Sequence, residues 1–384
     1  MLVKVLPGLA QRNAETMLPS GGYRRLDEIS SEGHMDFAPV LSADGRTMVF
    51  ESNRKEGWRL YETTMGEDGK WSGPRAISEV NRFARKGDII GGPDLSMDGK
   101  ELYFFGFFLF KTTSEDIYVS ERGVDGWKKP SPIKGEINTR NYEGFPSIAP
   151  DKKTLYFVRE NKDMPIDKAS GEPCFVIYRS EKDEKGNWSK GAALAAPVNL
   201  GCECSPKIMD DGRTLLFSSI REGGRGMYDI YQSRLQFDGS WSEPSLVKNV
   251  STEGNELSPS IASSGKDMVY FRDNAIYQAG APKGIGPLAH LVVDGKVRNG
   301  NTGEGVDFDA TVVNKSSGET IAFISNLGLG GNFELMLTAG AVYEITFSSE
   351  GFENEIIELD LSEVEENARM KQVVSLLEAT EVLF

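Results

Sequence analysis

The stretch "SPKIMDDGRTLLFSS", residues 205–219, runs from a proline into a short apolar strand, turns at Asp211-Gly212, and continues into a second apolar strand. Asp-Gly between two apolar runs is a strong hairpin signal, because these residues tolerate the positive φ that tight turns demand. The internal spacing decides the fold. From Pro206 an apolar residue follows at Ile208, the turn acid at Asp211 and an aromatic residue at Phe217. The same offsets recur at Pro39, Leu41, Asp44 and Phe50, and at Pro93, Leu95, Asp98 and Phe104. They recur again at Pro146, Ile148, Asp151 and Phe157, and at Pro259, Ile261, Ser264 and Tyr270. Successive prolines are 54, 53, 60 and 53 residues apart, so the chain holds five units with one internal spacing.

Each unit carries two further strands. Tyr61, Tyr118, Tyr178, Tyr231 and Tyr277 mark a third, and Trp71, Trp127, Trp188 and Trp241 lead a fourth after another glycine turn. A four-stranded antiparallel sheet cannot bury both faces alone, whereas five arranged radially cover one another, so the expectation is a five-bladed β-propeller. The Phe, Tyr and Trp of each unit are then packing between blades. The fifth unit lacks a Trp strand. The segment "GGYRRLDEIS" (21–30) resembles the missing strand and is expected to close that blade.

The repeats resemble the TolB-type propeller family, distant relatives of the tryptophan–aspartate (WD) repeat proteins, over about residues 21–280. From Gly286-Pro287 the pattern changes to short alternating strands, which read as a small β-sandwich. Gly295, Thr302-Gly303, Ala310, "GNFELML" (331–337), "AGAVYEI" (339–345) and "GF" (351–352) resemble the carboxypeptidase regulatory-like domain, a transthyretin-like and normally non-catalytic family. The fold class is therefore all-β, with an N-terminal extension at 1–20, a propeller at 21–286, a sandwich at 287–362 and a C-terminal link at 363–384. That order resembles a group of Bacteroidetes OmpA-family envelope proteins that includes a component of the type IX secretion system. The resemblance implies a periplasmic, outer-membrane-associated, protein-binding scaffold with envelope protein partners. In that group peptidoglycan is bound by an OmpA-like domain. This sequence holds no such domain, no helical repeats and no lipid-bearing cysteine near its start, so it reads as a piece of such a protein and anchoring is not carried over.

Charge narrows the partners. Residues 288–384 hold 17 acids and 5 bases, a net of −12, and residues 1–287 hold 41 acids and 38 bases. Neither half offers the basic face that nucleic acid or an anionic membrane needs. No run approaches the roughly 18 apolar residues of a membrane span. The start "MLVKVLPGLAQRN" is too weak for a secretion signal, so the chain is intracellular or its leader has been removed.

Chemistry is scarce. Two histidines, His34 and His290, leave no His triad or two-His metal site, and no GxSxG, P-loop or dinucleotide fingerprint appears. The reading is no enzyme, no cofactor, no catalytic residue and no metal ligand. Cys202 and Cys204 share a strand face and read as buried thiols in preference to a metal clip, with the redox state of Cys174, Cys202 and Cys204 open. One pattern is ordered: three residues before the marker proline stand Asp36, Glu143, Glu203 and Glu256, while the second unit has Ile90 there and Asp88 two residues earlier. These carboxylates are expected to ring one mouth of the central channel. They either accept backbone N–H bonds from a neighbouring blade or form a cation site or a socket for a basic peptide. The rival reading is a glycoside hydrolase using paired channel-mouth carboxylates, and the turns "EDGKW", "VDGW" and "FDGSW" resemble sialidase Asp-boxes. Finally, "YFFGFFLFK" (103–111) places Phe107, Phe108, Leu109 and Phe110 where other units are polar. This loop either folds under the adjoining insertion between Phe157 and Tyr178 or forms an exposed partner patch, the reading put to test.

Overall fold

The computed structural model describes residues 2–4 and 22–379, apart from 31, 56, 110, 113, 164–165, 167–170, 172–173, 237, 327, 329 and 365–366. Among the described residues the chain is nearly all β, with one short helix at Ser78–Asn81. It divides into two compact units, 14–287 and 288–384 together with 1–13.

In the larger unit each sequence repeat forms one antiparallel sheet, four-stranded except in the second, where Gly126–Trp127 adds a fifth strand. The first has Asp36–Leu41, Thr47–Ser52, Arg59–Thr64 and Arg75–Ala76 in order, and the third and fourth follow the same plan. In the second, Ser131–Pro132 pairs with Asp116–Gly123 as the outer strand. In the fifth the outer strand is Tyr23–Arg25, antiparallel to Ala275–Gly280, so the two ends of the repeat region share one sheet. Trp127 lies in the two-residue strand Gly126–Trp127, but the other three tryptophans stand one step earlier than a strand-leading role requires. Trp71, Trp188 and Trp241 make single bridges in the turn before the outer strand, and that strand is only two residues long.

The ring is closed by apolar burial between successive sheets. Val40, Val49 and Leu60 of the first pack with Leu102, Phe104 and Tyr118 of the second. Tyr103 and Ile117 meet Ile148 and Phe157; Tyr156 and Ile177 meet Leu215 and Phe217; Leu216 and Ile230 meet Met268 and Tyr270. Val269 and Ile276 of the fifth sheet then meet Met48, Phe50 and Tyr61 of the first, with Leu26 and Ile29 between them. Each sheet thus buries both faces against a neighbour, which is why a sequence of half-buried repeats is stable as a ring.

Every innermost strand is broken at the same place. The residue before the marker proline has positive φ in all five: Ala38 at 48°, Gly92 at 55°, Phe145 at 47°, Ser205 at 48° and Ser258 at 52°. The pairing register shifts across each of these positions. A bulge of this kind costs roughly 1–3 kcal/mol for each non-glycine residue held there. It also turns the prolines and their neighbours inward, where all five sets line one central channel.

The smaller unit has a five-stranded sheet of Leu2–Lys4, Glu355–Asp360, Val342–Ser348, Phe308–Asn314 and Thr320–Asn326, in that spatial order. A three-stranded sheet of Asn332–Thr338, His290–Asn299 and Ala368–Leu376 packs against it, with Phe333 of this sheet meeting Phe308 and Phe347 of the other. Two assignments therefore change. The segment read as a C-terminal link supplies a nine-residue strand, parallel to Leu291–Asn299. Part of the N-terminal extension supplies a strand parallel to Glu358–Asp360. Both joins are long-range and parallel, a kind of pairing that no local turn signal announces.

Candidate functional site

The ordered carboxylates are buried rather than displayed at a mouth: Asp36, Asp88, Glu143, Glu203 and Glu256 are each at most 5 % exposed. Their partners come chiefly from the connection that leads into their own strand, not from a neighbouring blade. Glu143 accepts from Thr139 N at 2.8 Å and Thr139 Oγ1 at 2.7 Å, and Glu256 accepts from Thr252 N at 3.1 Å. Glu203 accepts from Leu200 N and Gly201 N, both at 3.0 Å, and Asp88 from Arg85 N at 2.8 Å and Leu109 N at 3.0 Å. Burial pushes the Glu203 and Glu256 carboxyls up, against these hydrogen bonds.

Arginines complete the arrangement. Arg54 donates to Asp36 at 2.5 Å, Arg159 to Glu143 at 2.8 Å and Arg221 to Glu203 at 3.3 Å. Each guanidinium also covers the repeat's two aromatic rings, as Arg159 does over Phe157 at 5.1 Å and Tyr178 at 4.7 Å. These carboxylates fasten the connections between sheets.

The second sheet departs from this plan, and the departure explains its phenylalanines. Phe108 occupies the place of the arginine, with its ring 5.0 Å from Tyr118 and 5.0 Å from Phe83, and it is 1 % exposed. Ile90, also buried, replaces the carboxylate. An ion pair has become an apolar contact. The expected partner patch is thereby corrected: Phe108 is core, Phe107 is half-buried, Leu109 is exposed, and Phe110 lies outside the described residues.

The channel itself holds the groups that break the repeat. One residue after each marker proline stand Val40, Asp94, Ser147, Lys207 and Ser260. Three of them make the same clamp onto the next sheet: Asp94 accepts from Ile148 N at 2.8 Å, Ser147 from Ile208 N at 3.0 Å and Ser260 from Leu41 N at 3.0 Å. Lys207 cannot accept. Its ammonium instead crosses to Asp94 at 2.5 Å, joining the fourth sheet to the second. Asp210 lies close enough to feel Lys207 and Asp94, and accepts from Ser263 Oγ. Burial pushes both Asp94 and Asp210 up, with Lys207 opposing. Aromatic rings also cross the channel: Phe37 of the first sheet meets Phe145 of the third at 6.1 Å and Phe271 of the fifth at 4.5 Å.

Glu51 is the most perturbed carboxyl of the region. It is 5 % exposed and accepts from Gly92 N at 2.7 Å, and burial pushes it up to about 8. Gly91 makes room for it, since a Cβ there would fall 1.7 Å from Glu51 Oε2 and displace the carboxylate. A folded-state value above the ordinary 4.5 means that the native protein keeps a proton the unfolded chain loses, so stability drains as pH rises between these values. Glu51→Gln should therefore gain stability relative to wild type between about pH 5 and about pH 8, by at most roughly 1.4 kcal/mol per unit. Denaturant unfolding at both ends of that range checks it; a difference that does not change with pH would mean that Glu51 is ionised throughout.

The thiol expectation also changes. Cys174 and Cys202 form a disulfide across 28 residues, and Cys204 is buried. The bond ties the long loop of the third sheet to the connection leading into the fourth, a closure worth about 3.5 kcal/mol in the chain-entropy account. Three cysteines offered no spacing signal for this pair. Likewise, the channel pair was missed by sequence reasoning, although the opposite charges of Asp94 and Lys207 in one repeat column were a visible signal.

No protein-family model matches the sequence, and no curated protein does. Among solved structures, a putative TolB from Agrobacterium tumefaciens is 17% identical with a TM-score of 0.39, the match covering 79% of this chain and 90% of that one. The α-L-arabinofuranosidase PaAbf62A of Podospora anserina is 12% identical with a TM-score of 0.43, covering 67% and 94%. Zg3597, a family 117 glycoside hydrolase of Zobellia galactanivorans, is 10% identical with a TM-score of 0.41, covering 82% and 88%. At such values none of the three speaks for what this chain does. Among the described residues, no helix is long and apolar enough to cross a membrane.

Proposed function

We propose that this chain is a non-catalytic docking module of the bacterial cell envelope. The observation that carries the reading is the filled channel: Phe37–Phe145 and Asp94–Lys207 each span it between non-adjacent sheets, where a propeller enzyme would hold substrate. The ordered carboxylates support the same reading, because Glu143, Glu203 and Asp88 are engaged by backbone amides, hydroxyls or guanidinium groups within the fold. The Cys174–Cys202 disulfide suits an oxidising compartment such as the periplasm. Membership of a type IX secretion or peptidoglycan-associated outer-membrane complex rests on the sequence resemblance alone.

The glycoside hydrolase reading has one observation in its favour. Asp94, Lys207 and Asp210 break the repeat, as catalytic groups do, and Asp94 and Lys207 line the channel. A panel of chromogenic glycosides separates the two. The docking reading expects no release of chromophore from wild type. Turnover abolished by Asp94→Asn or Asp210→Asn, with the melting temperature retained by either variant, would replace it with the enzyme reading.

A further inference from the structure

The larger unit gathers on one surface cations that the sequence scatters. Phe83, in the connection between the first two sheets, is half-buried against their shared core. Lys111 Nζ lies 4.7 Å from the centre of the Phe83 ring, and Lys129 Nζ lies 6.0 Å from it. The loop that carries Lys111 is tied to the same connection where Leu109 N donates to Asp88 at 3.0 Å. Arg82, Arg85, Lys86, Lys111 and Lys129 are all exposed there. Arg82 is engaged by Glu79, whereas Arg85, Lys111 and Lys129 form no ion pair among the described residues. Leu109, 48% exposed, stands beside them. In a chain of net charge −15, unpaired cations around an apolar centre make a local field that draws an acidic group.

The smaller unit carries the complementary surface. Its turn at 349–354 meets the end of its last strand, where Glu353 N donates to Leu377 O at 2.8 Å and Ala379 N to Gly351 O at 2.9 Å. Glu350, Glu353, Glu355 and Glu378 are exposed at this corner, and among the described residues none of them forms an ion pair. Ile356 at 49% and Leu377 at 55% exposure lie among them. We propose that these surfaces are partners between copies of this chain, the acidic corner of one copy docking on the Arg85, Lys111 and Lys129 patch of another. Charge names the occupant, because residues 288–384 hold 17 acids against 5 bases and this corner leaves four of the acids unpaired. Leu377 and Ile356 have Leu109 and Phe83 as their apolar counterparts. The two surfaces differ, so the contact is heterologous: it closes reciprocally into a dimer or runs on as a chain of copies. Exposed ion pairs contribute little each, so the association is weak and sensitive to salt. The inference goes beyond the docking reading and does not depend on it.

Sedimentation velocity of the full chain tests it. The average mass of the wild type should grow between about 10 and about 200 µM at low salt, the range of a weak contact. It should return to the monomer value at about 0.5 M salt, where screening acts within roughly 4 Å. Lys111→Glu combined with Lys129→Glu should weaken association about tenfold or more, and so should Glu350→Lys combined with Glu353→Lys. Neither pair should shift the melt by more than a few degrees, because all four side chains are exposed. The decisive sample is the mixture. The patch variant keeps a native corner and the corner variant keeps a native patch, so the two should associate with each other although each alone is monomeric. A wild type that stays monomeric throughout, association that neither pair of reversals weakens, or a mixture that remains monomeric would each overturn the proposal. If the patch variant fails to fold, the corner variant and the salt dependence decide. Glycoside turnover is read separately, so this proposal and the non-catalytic reading can fail independently.

Discussion

Phe108→Asp is expected to lower the melting temperature of the larger unit by 10 °C or more, with about 2–4 °C lost per kcal/mol in a body of this size. Deleting a buried aromatic ring costs about 3–5 kcal/mol by itself, and the new carboxylate adds the penalty of a charge buried without a partner. Phe108 packs edge-on against both Phe83 and Tyr118, inside the cluster that joins the first two sheets. The equivalent arginines elsewhere have a carboxylate opposite, but here Ile90 stands in that place. An arginine at 108 would therefore also be uncompensated, and Phe108→Arg should be destabilising although the first, third and fourth sheets carry an arginine in that role. A melt within a degree or two of wild type for Phe108→Asp, read by circular dichroism, would return the loop to the surface.

The second large effect is expected at the channel. Lys207→Met should cost about 3–5 kcal/mol near neutral pH, because it leaves the buried Asp94 carboxylate without its counter-charge. Asp94→Ser combined with Lys207→Met should recover most of that loss. Serine is what the third and fifth sheets carry in this column, and it can still accept from Ile148 N as Ser147 does from Ile208 N. The pH dependence has a definite sign. Burial already pushes Asp94 above its ordinary value despite Lys207, and removing the ammonium pushes it further. A group with a raised folded-state value binds its proton more tightly in the native state, so the cost of Lys207→Met should shrink as pH falls and grow as it rises. Denaturant unfolding of the single and double variants measures both claims. A single variant no worse than the double would mean that the ion pair contributes nothing across the ring.

The repeat was legible because everything that announces it is local. A proline, an Asp-Gly turn and an aromatic residue at fixed offsets specify a hairpin without reference to the rest of the chain, and the Tyr strand follows within the same unit. The partners of the ordered carboxylates were only half legible. Acids three residues before the proline pointed to a repeated structural bond. That the bond runs to Thr139 or Leu200, in the connection just before the strand, depends on how that connection folds back. The phenylalanine loop was misread as a patch because hydrophobicity says what a side chain avoids, not which cavity is free to take it. That cavity exists only because the arginine and the carboxylate are both missing from the second repeat.

By itself the sequence determined the all-β class, the five hairpin units with their fixed spacing, the place where the pattern changes near Pro287, and the −12 charge of the last 97 residues. These follow from turn chemistry, side-chain alternation and composition, each a property of neighbouring residues. Only the tertiary structure decided that Asp94 meets Lys207, 113 residues away, and that Phe37 meets Phe145. Only it paired Cys174 with Cys202 and brought Ala368–Leu376 beside Leu291–Asn299. These partners are remote along the chain, and their contacts form only once the sheets have packed, so no local pattern encodes them.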